Sequence, residues 1–125
     1  MACQSGPDAG ARAEAERVVI AVRALREADN ADKPARLAAL RVAAAAEPEV
    51  VELKNECVSA YELYTKGLDA VRAVKKSLGE DGGASDARRA AELLVGAERD
   101  VAAGKQRATR CAEFEGRVVS KFKIR

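Results

Sequence analysis

The chain has no histidine and no tryptophan, and only 3% of its residues are aromatic. The absence of histidine removes the commonest general base and the commonest metal ligand together. The three cysteines stand far apart, at positions 3, 57 and 111, so no Cys-x-x-Cys pair exists for zinc or haem. No apolar run approaches the roughly 20 residues that a membrane-spanning helix needs. The stretch Gly79–Gly83 (GEDGG) lacks the Lys-Ser/Thr ending and the preceding strand of a phosphate cradle, and reads as a turn between helices. Neither sign of charge dominates. Across 125 residues, 22 Lys+Arg stand against 20 Asp+Glu, a net charge of +2. Such a balance argues against a dedicated nucleic-acid binder, which needs a basic excess on one face.

What is present points to helices. Hydrophobic residues make up 48% of the chain, with alanine a large contributor, and 34% is charged. Abundant Ala, Arg, Glu and Lys with few aromatics is the composition of long helices and coiled coils. The length suits one domain, which at this size buries roughly two-thirds of its unfolded surface. Residues 1–10, small and polar with Gly6, Pro7 and Gly10, are expected to form a flexible tether, and residues 11–125 a single helical-bundle domain.

Four helices are expected. In the first, from about Ala11 to Ala28, the stripe Ala11, Ala15, Val18, Val22 and Leu25 steps by four and three. Asp29-Asn30-Ala31-Asp32 ends it. Asp32 reads as the N-cap of a short second helix with Pro34 in its first turn, carrying Leu37, Leu40 and Ala44. Pro48 restarts the chain into a third helix reaching Leu78, where Gly79 reads as a C-cap. After Gly82 and Gly83, Ser85 reads as the N-cap of a fourth helix ending near Val119. Ser120 to Arg125 would fray or form a short extended tail.

The third and fourth helices each carry a heptad-like stripe. One holds Val50, Leu53, Cys57, Ala60, Tyr64, Gly67, Val71, Val74 and Leu78. The other holds Ala87, Ala90, Leu94, Ala97, Val101, Gly104, Ala108, Cys111, Val118 and Phe122. Folding them antiparallel, with paired residue numbers summing to 168, sets Tyr64 against Gly104, Gly67 against Val101 and Val71 against Ala97. Large residues then face small ones, as a close interface requires. Leu53 against Glu115 is the poor layer, with Phe114 as its expected cover. The fold class is therefore all-α: an antiparallel helical hairpin with shorter N-terminal helices, a three- to four-helix bundle.

The same pairing sets Cys57 opposite Cys111. Facing core positions can reach the roughly 4.4–6.8 Å between Cα atoms that a disulfide requires. A disulfide outside the reducing cytosol and a pair of buried free thiols both fit such a layer. Cys3 has no core around it. Ala2-Cys3 followed by Gln-Ser-Gly resembles the processed start of a bacterial envelope lipoprotein, and the resemblance covers this dipeptide and the small polar residues down to Gly10. It implies lipidation of Cys3, anchorage in the cell envelope, and membrane contact only through that anchor.

No catalytic constellation is visible, and no cofactor or metal is expected. Glu14 and Glu16, like Glu113 and Glu115, lie two apart and so on different sides of a helix. Glu47, Glu49 and Glu52 read as favourable charge at a helix N-terminus. Tyr61 and Tyr64 read as core filler with hydroxyls at the rim, in preference to walls of a ligand pocket. Lys54, Lys75 and Lys76 are expected to snorkel to solvent. The leading expectation is a non-enzymatic interaction or structural module of a bacterial envelope, with a protein partner or a second copy of itself. The alternative is a cytoplasmic helical adaptor or weak nucleic-acid binder that uses the basic last helix, which is rich in Arg88, Arg89, Arg99, Lys105, Arg107, Arg110, Arg117, Lys121, Lys123 and Arg125.

Overall fold

A computed structural model describes residues 9–78 and 84–125. Its helices are α1 (Ala9–Glu27), α2 (Lys33–Val42), α3 (Pro48–Leu78) and α4 (Ala84–Phe122). The described residues include no strand. Cys3, and the expected cap and turn at Gly79, Gly82 and Gly83, lie outside the described residues. Ala9 and Gly10, expected in the tether, open α1 instead.

The boundaries follow local chemistry. Pro48 begins α3, where its missing N–H costs nothing. The carbonyl of Glu47 accepts from Val50 (3.0 Å) and Val51 (2.9 Å). The Glu47 N–H itself donates to Glu14 Oε2 on α1 at 2.9 Å, a tie between distant segments. Asp32 does stand at the N-cap position of α2, but its side chain makes no capping bond. Its backbone is helical (φ −94°, ψ −12°), whereas a capping residue is usually extended. The N–H groups of Asp32 and Lys33 turn back to the Asp29 carbonyl at 2.9 and 3.0 Å. Ala44 lies past the end of α2, because Ala43 is already extended (ψ 129°). Ser85, expected at the N-cap, falls one residue inside α4, which begins at Ala84.

The end of α4 departs from expectation. The helix continues to Phe122, which is buried, and Ile124 packs against the same core. Lys123 takes a left-handed conformation (φ 54°), and the Ile124 N–H donates to the Val119 carbonyl at 3.0 Å. This is the backbone pattern of a Schellman cap, with lysine where glycine is usual. Burial of Phe122 and Ile124 stabilises the last turn that charge alternation suggested would fray.

α3 and α4 share the largest interface by a wide margin. The register by sums of 168 holds at three layers. Cys57 meets Cys111. A Cβ built on Gly67 would lie 2.6 Å from Val101 Cγ2, and one on Gly104 would lie 2.7 Å from the Tyr64 backbone nitrogen. Glycine is required at these two layers because the facing helix occupies the space of a side chain.

α1 runs parallel to α3 and antiparallel to α4. Glu14 meets Glu47, Arg12 donates to the Lys123 carbonyl at 3.1 Å, and Arg26 meets Glu115. The main core collects Val18, Val19, Val22 and Leu25 of α1, Leu37 and Leu40 of α2, Val50, Leu53, Cys57 and Tyr61 of α3, and Cys111, Val118 and Phe122 of α4. Every α3 member lies at or before Tyr61, and every fully buried α4 member lies at or after Cys111. The molecule thus has a four-helix base and a two-helix tip. The α3 part of that tip, from Lys66 to Leu78, is about 18 Å long at 1.5 Å per residue.

Candidate functional site: the disulfide layer and the faces around it

The cysteine layer lies within the base. Cys57 and Cys111 are both 0% exposed. Their Cα atoms stand 4.7 Å apart and their sulfurs 2.05 Å apart, at bonding distance. The two residues come from the middle of long helices, so the chain between them includes the whole tip.

Beside this layer, Glu115 occupies the position opposite Leu53 that packing alone would reject. It is only 8% exposed. α1 resolves the mismatch. Arg23 Nε donates to Glu115 Oε2 at 3.1 Å, and Arg26 donates to Oε1. Arg23 also donates to the Arg125 carbonyl, tying the C-terminus to the same cluster. Phe114, the expected cover, lies half-buried at the edge under the Arg117 guanidinium, 4.9 Å from its ring centre. The two arginines keep 35% and 40% of their side-chain surface in water, so they can turn outward if the carboxylate is removed. Glu115→Ala is therefore expected to cost about 2 kcal/mol, for a lost charge-assisted pair and a void. Glu115→Leu is expected to recover most of that, because it fills the layer against Leu53 while the freed arginines hydrate. Urea unfolding of the two variants checks this, and equal losses for Ala and Leu would contradict it.

Among the described residues, Lys33 is the other buried charge, 6% exposed at the start of α2. Its ammonium donates to the carbonyls of Leu25, Arg26 and Ala28 at 3.0, 3.0 and 2.9 Å. It thus satisfies carbonyls that the end of α1 leaves without helical partners, where a cation is also favoured. It lies 5.6 Å from the ring centre of Tyr61 and 5.9 Å from that of Tyr64. Those rings meet edge to face at 6.4 Å. Burial pushes the Lys33 ammonium below the usual lysine range, against the opposing pull of Asp29. Burial likewise pushes the Tyr61 phenol above its usual range, with Arg26 working the other way. Tyr64 reaches the rim, where its hydroxyl contacts Asn30 Oδ1 at 3.4 Å. The tyrosines form a cation clamp that joins α1, α2 and α3. Lys54 does not snorkel to solvent: it donates to the Ala43 carbonyl at 2.8 Å and closes the end of α2.

The basic last helix is only partly committed. Arg110 pairs with Glu56 at 3.5 Å, and Lys121 pairs with Glu49. Arg88, Arg89, Arg99, Lys105, Arg107 and Arg117 are exposed, with Glu92, Glu98 and Glu113 exposed among them. In the tip, Ala70, Ala73, Val74 and Ser77 of α3 face Arg89, Ala90 and Leu93 of α4 across a groove of about 340 Å³. Leu93 and Val95 are 57% and 58% exposed.

Among the described residues, no group of three or more His, Cys, Asp or Glu side chains could hold a metal ion, and no helix is long and apolar enough to cross a membrane. The chain matches no protein-family model, no curated protein and no solved structure.

Proposed function

We propose that this protein is a non-enzymatic helical interaction module of a bacterial cell envelope, anchored through Cys3 and bridged at Cys57–Cys111. The observation that carries the reading is the cysteine layer: two fully buried sulfurs at bonding distance in the base. Such bonds persist in oxidising compartments and are rare where glutathione keeps thiols reduced. The direction of α1 agrees with an anchor upstream of it. Its N-terminal turn lies by the C-terminus of α4, at the end of the molecule remote from the tip. A tether there holds the base at the membrane and turns the tip outward.

Peptide mass mapping of protein from its native source, with and without reduction, tests the proposal. The expected result is a Cys57–Cys111 linked peptide that separates on reduction, together with an acylated peptide containing Cys3. Three free, unmodified thiols would overturn it and turn attention to soluble partners and nucleic acids.

A further inference from the structure

We propose that the bare tip is a self-association surface, on which a second copy of this chain packs its α4 antiparallel about a two-fold axis between Leu93 and Gly96. The inference is independent of where in the cell the protein resides.

α4 carries a second stripe beside the one that faces α3. Arg89, Leu93, Gly96, Asp100 and Ala103 step by four, three, four and three along the helix, so they share one face. Near its centre, an exposed Leu93 stands one turn from a glycine with open space above it. A Cβ on Gly96 would meet nothing within 4 Å, unlike those on Gly67 and Gly104. The groove beside Leu93 is floored by the small side chains of Ala70, Ala73 and Ala90.

The stripe is self-complementary. In an antiparallel pair, residues whose numbers sum to 189 lie opposite one another. Leu93 then meets the gap over Gly96 of the second copy. Arg89 meets Asp100 of the second copy, and by symmetry each of these contacts forms twice, as in any isologous interface. Asp100 keeps 33% of its side chain in water and is only loosely held by Lys66 at 4.0 Å, so it is available to Arg89. Parallel or shifted pairings lose this match: one step along the stripe sets Arg89 against a neutral residue.

The area suits a reversible dimer. The stripe from Arg89 to Ala103 runs about 21 Å along one face of α4, at 1.5 Å per residue. One helix face of that length is a small contact, in the range of weak, transient association. Area alone does not set affinity, and a face of this size is expected to associate weakly and reversibly.

Sedimentation equilibrium of the oxidised full chain tests the proposal. The wild type is expected to dimerise at micromolar concentration. Leu93→Glu should be monomeric over the same range. Arg89→Asp and Asp100→Arg should each weaken the dimer by about tenfold or more, since each reversal sets two like-charge pairs in the interface. The double variant Arg89→Asp/Asp100→Arg should restore it. These side chains are exposed or part-exposed and outside the main core, so folding is not at stake. A wild type that stays monomeric at a hundred times that concentration would overturn the proposal. So would a dimer indifferent to Leu93→Glu, or a double reversal no better than either single one.

Discussion

Replacing both Cys57 and Cys111 with alanine is expected to lower the unfolding free energy by about 4 kcal/mol. The bridge joins residues 54 apart. In the chain-entropy account, a cross-link closing a loop of that size removes about 4 kcal/mol of freedom from the unfolded chain. For a domain of this length the whole margin of stability is about 5–15 kcal/mol, so the loss is a large share of it. Urea unfolding of the wild type with and without reductant measures the effect, and the double variant is the control that reductant should not touch. Reduction is expected to move the wild type close to the variant. A wild type whose midpoint ignores reductant would show that no bridge forms in solution.

Gly104→Ala is expected to destabilise by about 3 kcal/mol, against the usual sign of that exchange in a helix. Alanine normally stabilises a helix interior by about 1 kcal/mol relative to glycine. At position 104 the new methyl would lie 2.7 Å from the Tyr64 nitrogen and 2.9 Å from its Cα and Cβ. These are backbone and near-backbone atoms that cannot swing aside, so α3 and α4 must separate and loosen the layers on either side. Gly67→Ala should fail in the same direction, since its Cβ would meet the Ala97 carbonyl oxygen at 2.7 Å and the Val101 nitrogen at 2.8 Å. Gly116 lies on the exposed side of the same helix with nothing within 4 Å. There alanine is expected to stabilise by about 0.5–1 kcal/mol. Thermal unfolding of Gly104→Ala and Gly116→Ala reads the two signs. A Gly104→Ala protein as stable as the wild type would mean that the helices stand further apart than described.

The hairpin was legible in the chain because its signal is one-dimensional. A stripe on each helix and one sum fix the facing layers, and Tyr64 against Gly104 or Gly67 against Val101 follow from size alone. The bounds of α3 were readable for a similar reason, since Pro48 marks a local start. The features that were not legible depend on a third element. Glu115 looked like a misfit because its partners, Arg23 and Arg26, lie on α1, whose rotation against the hairpin is not written in the hairpin's own repeat. Those arginines are spaced three apart on one side of α1, the one available hint of a shared acidic partner. Lys33 was hidden more deeply. A lysine after Asp32 reads as a solvated residue, and only the path of the chain from α1 into α2 brings its ammonium over the carbonyls of Leu25, Arg26 and Ala28. The end of α4 misled for a related reason. Lys121 and Lys123 around Phe122 look like an exposed tail until the core shared by the four helices buries the ring.

The outer row of α4 is less legible. Leu93 and Gly96 stand one row away from the stripe that faces α3, among charged residues that read as a solvated helix face. The short lengths of α1 and α2 did indicate that part of the hairpin would lie uncovered. They could not tell which end, because that depends on the direction in which α1 returns along α3.

The bridge at Cys57–Cys111 also divides the polypeptide topologically. Residues 57 to 111 form a covalent ring that contains the entire tip, while α1 and α2 lie on an open arm outside it. A protease that cuts the backbone once anywhere inside the ring leaves a single covalent molecule, with its two strands still joined at the base. A cut in the open arm releases a fragment. The ring also keeps count for the helices: if the tip melts and re-forms, α3 and α4 cannot slip by a turn, because the sulfur bond holds the layer from which every other pairing is numbered.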